Sequence, residues 1–222
     1  VPGIAFSDGT ALEGEGLERD PVAVLTYHVV LNTSVGLDDL SVDQLRDINA
    51  GRVTNWSQLG GPDLPVRIVG RGADSGSRLA YERYVLGTGE APVSSNGCRD
   101  PDRVVPAAAT RCERSTTREV LETVDTTPGA IGYADAAEVG GYAGARPILI
   151  GGVQGSEAFL EAGYEFWTIE YAYRRAEVPG SAEEEFLDFL ERDSAARAMR
   201  EEGYIPCRRS DGSIERICQT AR

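Results

Sequence analysis

A run of ten strand-favouring residues, 22–31, constrains the fold more than any other feature. Apolar side chains do not alternate with polar ones there, so the run predicts a strand that is buried on both faces. Shorter strand-like runs, such as 65–69, alternate with segments of helical periodicity, such as 41–49, and the clearest predicted helix spans 181–202. This alternation predicts an α/β fold with mixed, mostly parallel sheets.

Charge and composition exclude several classes of function. The formal net charge is −14, whereas nucleic-acid partners require a basic footprint, so we expect no nucleic-acid partner. No run of eighteen apolar residues occurs that could span a bilayer. The single histidine, His28, lies inside the long predicted strand, and we interpret it as a packed core residue. With no metal cluster or nucleophile–base pair visible, we predict neither a cofactor nor an enzyme.

The four cysteines form two local pairs in the sequence, Cys98 with Cys112 and Cys207 with Cys218. Their even number and their spacing favour two disulfides, and therefore an oxidising, extracytoplasmic compartment. Four reduced cysteines in a cytosolic protein are the alternative. The second pair would close a hairpin that turns at Asp211-Gly212.

The strongest local signal for a binding site is the segment 71–78, between a predicted strand and a predicted helix. Backbone N–H groups of Ser75, Gly76 and Ser77 would lie in the first helical turn, where anions are favoured. Two serine hydroxyls add donors, and Arg71 adds a charged fork. An ordinary capped helix with a solvated arginine would explain the same spacing.

This segment, Arg71-x-x-x-Ser75-Gly76-Ser77-Arg78, resembles the R-x-x-x-S-G-T-R loop of phosphate-binding proteins that serve ABC importers (the PstS type). Three further segments are similar in the same order along the chain. They are Ile4–Asp8, whose end carries S-D, the turn around Thr54-Asn55-Trp56, and Thr127–Ala134, which reads T-P-G-A-I-G-Y-A.

The resemblance implies a two-lobed fold of the periplasmic-binding-protein kind, with an anion held in a hinge cleft. One lobe would comprise residues 1–31 and 145–206, the other 32–144, and 207–222 would form the disulfide-closed tail. The implied function is extracytoplasmic capture of inorganic phosphate, by a monomer that delivers it to an ABC permease. A non-binding scaffold domain and a receptor for another tetrahedral oxyanion are the alternatives.

The resemblance also implies the ligand-contacting residues. Arg71, Ser75, Gly76 and Ser77 match the family's anion loop, with Ser77 replacing the usual threonine and keeping its hydroxyl. Ser7 and Asp8 match the family's S-D pair. A carboxylate at Asp8 can accept a hydrogen bond from protonated phosphate, whereas sulfate offers no proton and would be repelled.

Family members carry a first strand, an anion loop, a helix and a Gly-Ser loop ahead of the segment that matches Ile4–Asp8. None of these is present in the sequence, which opens at Val1 without a targeting segment. We therefore expect upstream sequence that supplies roughly half of the ligand donors.

Overall fold

The computed structural model describes residues 3–9, 16–105, 109–155, 163–175, 181–208 and 212–220. Ten strands lie in these ranges: β1 Ala5–Asp8, β2 Leu17–Asn32, β3 Asp39–Leu40, β4 Arg67–Arg71, β5 Thr110–Arg114, β6 Ala130–Asp135, β7 Ala145–Pro147, β8 Leu149–Ile150, β9 Trp167–Arg175 and β10 Ile205–Pro206. The α-helices there are α1 Val42–Asn49, α2 Gly76–Ala80, α3 Thr117–Thr126, α4 Ala182–Leu190 and α5 Asp193–Glu201. Two compact units contain these elements: unit one is 1–26 with 167–222, and unit two is 27–166.

Unit one is built on an antiparallel sheet. Strand β9 pairs with β1 on one side and with β2 on the other, and β10 pairs with the far edge of β2. The chain leaves this unit along β2 and returns along β9, so the two strands run in opposite directions where they pair. Val24, Ile169 and Ala172 are fully buried in this sheet.

Unit two is built on a mixed sheet. Strand β4 pairs in parallel with β5 and β6, while the end of β2 pairs antiparallel with β6 and β7. Helix α3 covers this sheet because Val120, Leu121 and Val124 recur at helical spacing and are fully buried against it. Strands β3 and β8 form a separate parallel pair.

The predicted α/β class with mixed sheets is confirmed. Parallel pairing is concentrated in unit two, and every described pair in unit one is antiparallel, because two strands that connect the units in opposite directions dominate it. The unit boundaries also differ from the expected 31 and 144. The segment 145–166 belongs to unit two because β7 pairs with Val30, Leu31 and Asn32.

Two predicted helices have a different form from the one expected. The helix predicted over 181–202 is broken at Arg192, whose backbone is extended and precedes the first turn of α5. The predicted helix after the Arg71 loop starts as α2 and continues as a π-helix over Tyr81–Leu86. Periodicity alone does not distinguish such local departures from one continuous α-helix.

The Asn55-Trp56 turn is a structural feature of unit two. Asn55 caps a short 3-10 helix, and the fully buried Trp56 donates its indole N–H to the Gly129 carbonyl oxygen at 2.9 Å. Gly129 has a φ of +76°, and its own N–H donates to Ser34 Oγ at 3.0 Å. Two of the segments that carry the family resemblance therefore meet in the core.

Both predicted disulfides are present, Cys98–Cys112 in unit two and Cys207–Cys218 in unit one. An antiparallel bridge between Arg208 and Ile214 fits the predicted C-terminal hairpin, and a 3-10 helix over Arg216–Gln219 follows it. Asp211, in the predicted turn, lies outside the described residues.

Gly129→Ala should destabilise unit two more than Gly36→Ala does. Both positions have positive φ, which costs an alanine about 1–2 kcal/mol, but only at Gly129 would the new Cβ overlap another atom, the Pro65 carbonyl oxygen. We expect this overlap to add about 1–3 kcal/mol to the loss. Urea unfolding of both variants measures the difference, and equal losses would contradict the predicted overlap.

His28→Gln should flatten the pH dependence of stability. Burial lowers the pKa of His28, so its contribution to stability is complete above the unfolded pKa of about 6.5 and is lost as pH falls. The wild type should lose stability relative to the variant as the pH falls below about 6.5, by at most about 1.4 kcal/mol per pH unit. Urea unfolding at several pH values tests this; parallel curves for the two proteins would contradict it.

Candidate anion-binding site

Strand β4 ends at Arg71, and the loop that follows leads to Ser75, the N-cap of α2. Ser75 has an extended backbone, and its Oγ accepts from the Arg78 N–H at 3.4 Å. Within the loop, the Ser75 N–H donates to the Gly72 carbonyl at 3.1 Å. The predicted group Arg71, Ser75, Gly76 and Ser77 therefore lies on one short connection in unit two.

The hydroxyls of Ser75 and Ser77 form a buried pair. Their Oγ atoms are 2.9 Å apart, and both residues are less than a tenth exposed. In this hydrogen bond one hydroxyl donates its only hydrogen to the oxygen of the other, and the accepting hydroxyl keeps its own hydrogen. The second hydrogen has no acceptor among the described residues, so this pair can still donate one hydrogen bond to an anion.

Arg71 is oriented by uncharged partners. Its Nη1 donates to Thr117 Oγ1 and its Nη2 to the Ser115 carbonyl, both at 2.9 Å, while its backbone N–H donates to the Tyr133 hydroxyl at 3.1 Å. Burial raises the pKa of Tyr133, which keeps that hydroxyl protonated. Among the described residues no carboxylate pairs with Arg71, and its buried Nε has no hydrogen-bond partner. The positive charge is thus held in place without being neutralised.

Two further arginines near the loop, Arg78 and Arg111, are neutralised in an ion cluster. Its five members are Arg78, Glu82, Glu90, Arg111 and Glu113. Arg111 pairs with Glu90 and also donates to Glu113 Oε1 at 2.9 Å. Arg78 donates to Glu113 at 2.7 Å and to Glu82 at 2.9 Å. Three carboxylates therefore surround two guanidinium groups.

Burial differs between the carboxylates of the ion cluster, and their pKa values shift in opposite directions. Burial raises the pKa of Glu90, whose side chain is fully buried, despite the opposing charge of Arg111. Burial alone would also raise the pKa of Glu82, but hydrogen bonds from the Glu90 N–H and from Arg78 outweigh it, and the pKa is lowered.

Sequence reasoning missed the ion cluster. The loop motif includes Arg78 but indicates no role for it, and no sequence spacing connects Glu90, Arg111 and Glu113 to it. Gly70 provides the only local signal. A Cβ there would lie 2.7 Å from Glu90 Oε2 and 2.8 Å from Arg111 Nη2, so a side chain at this strand position would displace the ion pair.

Ser7 and Asp8 lie together at the end of β1 in unit one. Ser7 is opposite Tyr171 and Asp8 is opposite Glu170 on β9, and both are half-buried. The next residue is held on both sides, since the Gly9 N–H donates to the Ile169 carbonyl at 2.8 Å and Tyr173 donates to the Gly9 carbonyl at 3.1 Å. The predicted meeting of Asp8 with the Arg71 loop stays a prediction.

Other features of the described residues do not form a second site of this kind. His28 is a buried core residue, in agreement with its interpretation from the sequence, and Trp56 is buried as well. Across the described ranges, no group of three or more metal-binding side chains occurs. Within the same ranges, no helix is both long and apolar enough to cross a bilayer.

Comparison with known proteins gives a family match over most of the chain. Residues 5–177 match the PBP superfamily domain. The chain is 30% identical over 210 residues to the phosphate-binding protein PstS of Bacillus subtilis (strain 168). That alignment covers 91% of this chain but only 64% of the curated relative.

Solved structures share the fold at lower identity. An ABC-type phosphate transport receptor from Vibrio cholerae is 22% identical, with a TM-score of 0.67 over 91% of this chain and 79% of that one. A Clostridium perfringens protein provisionally described as a phosphate ABC transporter substrate-binding protein, with bound phosphate, is also 22% identical. Its TM-score is 0.75 over 91% of this chain and 78% of that one. These likenesses establish the fold, and with the match over residues 5–177 they show that the chain belongs to the PBP superfamily.

Proposed function

We propose that this protein is an extracytoplasmic solute-binding protein that captures inorganic phosphate for uptake by an ABC permease. The observation that carries the proposal is the state of Arg71: a guanidinium held by uncharged partners, with a buried Nε that has no described acceptor. An unneutralised cation beside two buried hydroxyls favours binding of a small oxyanion.

The donors of the Arg71 loop suit a tetrahedral anion. Arg71 offers a planar set of charged N–H groups, and the Ser75–Ser77 pair offers one hydroxyl hydrogen on the same connection. A buried donor that lacks an acceptor costs roughly 1–3 kcal/mol, and a bound anion would remove that cost. The 30% identical relative is a phosphate-binding protein by name, which supports phosphate as the oxyanion.

Compartment, partner and mode of action follow as parts of the same proposal. Two disulfides in a chain of this size favour an oxidising environment outside the cytoplasm. The solved relatives are described as receptors of ABC-type phosphate transport, which supports an ABC permease as the membrane partner. We propose that the protein acts as a monomer that binds phosphate without chemically changing it.

Arg71→Ala should weaken the binding of phosphate and of competing oxyanions together. Loss of charge-assisted hydrogen bonds should cost about 1.5–3 kcal/mol, a roughly ten- to hundredfold rise in Kd. Isothermal titration calorimetry of the purified protein with phosphate, arsenate and sulfate measures this. Arg67→Ala is the matched control, because Arg67 also lies on β4 but donates to the Arg99 and Pro128 carbonyls. The titrations use the full-length protein, and a full-length wild type that binds none of these anions would instead support a scaffold domain.

Asp8→Asn should change the ratio of phosphate to sulfate affinity. The carboxylate can accept a hydrogen bond from protonated phosphate, and an amide N–H can donate to the bare oxygens of sulfate. Competition titrations at neutral pH should therefore show weaker phosphate binding and newly admitted sulfate. Asp188→Asn, which removes the same charge from an exposed position in unit one, is the control. A variant that still excludes sulfate as strictly as the wild type would place the selectivity elsewhere.

A further inference from the structure

Arg78 joins the two ends of the connection that carries the anion donors. Its Nη1 donates to the Arg71 carbonyl oxygen at 3.1 Å, while Arg78 itself lies in the first turn of α2. The same guanidinium donates to Glu113 on β5 and to Glu82 one helical turn later. One side chain therefore fixes β4, β5 and the following helix relative to each other, with the anion loop enclosed between them.

The rest of the ion cluster gives Arg78 a rigid base. Arg111 is 1% exposed and the Glu90 side chain is fully buried, so neither can move into solvent without breaking the pair. Glu90 Oε2 also lies 3.4 Å from Arg78 Nε. Ser115, whose carbonyl accepts from Arg71, directly follows the end of β5 and lies two residues after Glu113. Arg71 and Arg78 therefore both donate hydrogen bonds to residues at the end of β5.

The charges of the ion cluster do not favour an electrostatic role for Arg78 in attracting an anion. Two guanidinium groups face three carboxylates, Glu82, Glu90 and Glu113, so Arg78 contributes no surplus positive charge at the loop. Its side chain is also only 16% exposed. Arg78 instead positions β4, β5 and the following helix, because its planar guanidinium donates hydrogen bonds to all three.

We propose that Arg78 is a positioning residue for the anion loop, which it holds in its binding conformation before the ligand arrives. The proposal rests on the phosphate-binding function proposed above. Without Arg78, the described hydrogen bonds that order the loop backbone would be those of Arg71 with Tyr133, of Ser75 with Gly72 and of the Ser75 cap with the helix. Binding would then have to order the loop, and that cost would reduce affinity.

Two variants separate geometry from charge. Arg78→Met removes both the hydrogen bonds and the charge, whereas Arg78→Lys keeps the charge but lacks the planar fork. Arg67→Met is the matched control, since Arg67 also fixes β4 through backbone carbonyls but does not contact the loop. Each protein is titrated with inorganic phosphate at low salt and at about 1 M salt, where the Debye length is roughly 3 Å.

We expect both Arg78 variants to bind phosphate about tenfold or more weakly than the wild type, and Arg78→Lys, which keeps the charge, to do so by the same factor at both salt concentrations. Arg67→Met should keep wild-type affinity. Hydrogen exchange of the free proteins, followed by mass spectrometry, should show faster exchange in peptides covering 71–78 for both Arg78 variants and not for Arg67→Met.

Each contrary result identifies which proposal fails. Restoration of affinity in Arg78→Lys, or a loss that disappears at high salt, would overturn the positioning role in favour of a charge effect. Unchanged exchange of the loop in Arg78→Met would overturn it regardless of binding. A wild-type protein that binds no phosphate while its loop exchange still depends on Arg78 would overturn the proposed function and leave Arg78 as an organiser of the loop.

Discussion

The guanidinium of Arg111 is buried almost completely, and the arrangement of unit two around the anion loop depends on how its charge is compensated. A buried cation without a partner would cost several kcal/mol, so Glu90 and Glu113 must both be held within reach of it. Their positions fix the end of β5 and the segment that follows the π-helix. Gly70 is needed for the same arrangement. Because it has no side chain, the backbone of β4 can pack against the Arg111–Glu90 pair.

Three arginines near one another are used in two different ways. Arg78 and Arg111 are matched with carboxylates and hold the scaffold, whereas Arg71 is held by a hydroxyl and a carbonyl oxygen. A carboxylate beside Arg71 would compete with an external anion for the same donors. Among the described residues, carboxylates thus neutralise Arg78 and Arg111, while Arg71 has no carboxylate partner.

Features that depend on neighbouring residues could be predicted from the sequence, and features that depend on distant residues could not. Local patterns predict the long strand β2, both disulfides and the grouping of Arg71 with Ser75 and Ser77. The break at Arg192 and the assignment of 145–166 to unit two arise from backbone conformation and strand pairing, which leave no periodic signal. The ion cluster was missed for the same reason, since Glu90 and Arg111 are far apart in the chain.

Strand β5 connects the ion cluster to the Cys98–Cys112 disulfide. Successive side chains on a strand point to opposite faces, so Arg111 and Glu113 face the cluster while Cys112, between them, faces the core packed under α3. Oxidation of Cys112 with Cys98 ties the preceding loop to this strand. The chain therefore gains this constraint on Arg111 and Glu113 only when the Cys98–Cys112 disulfide forms, so oxidation of these two cysteines is a step in ordering the loop that follows β4.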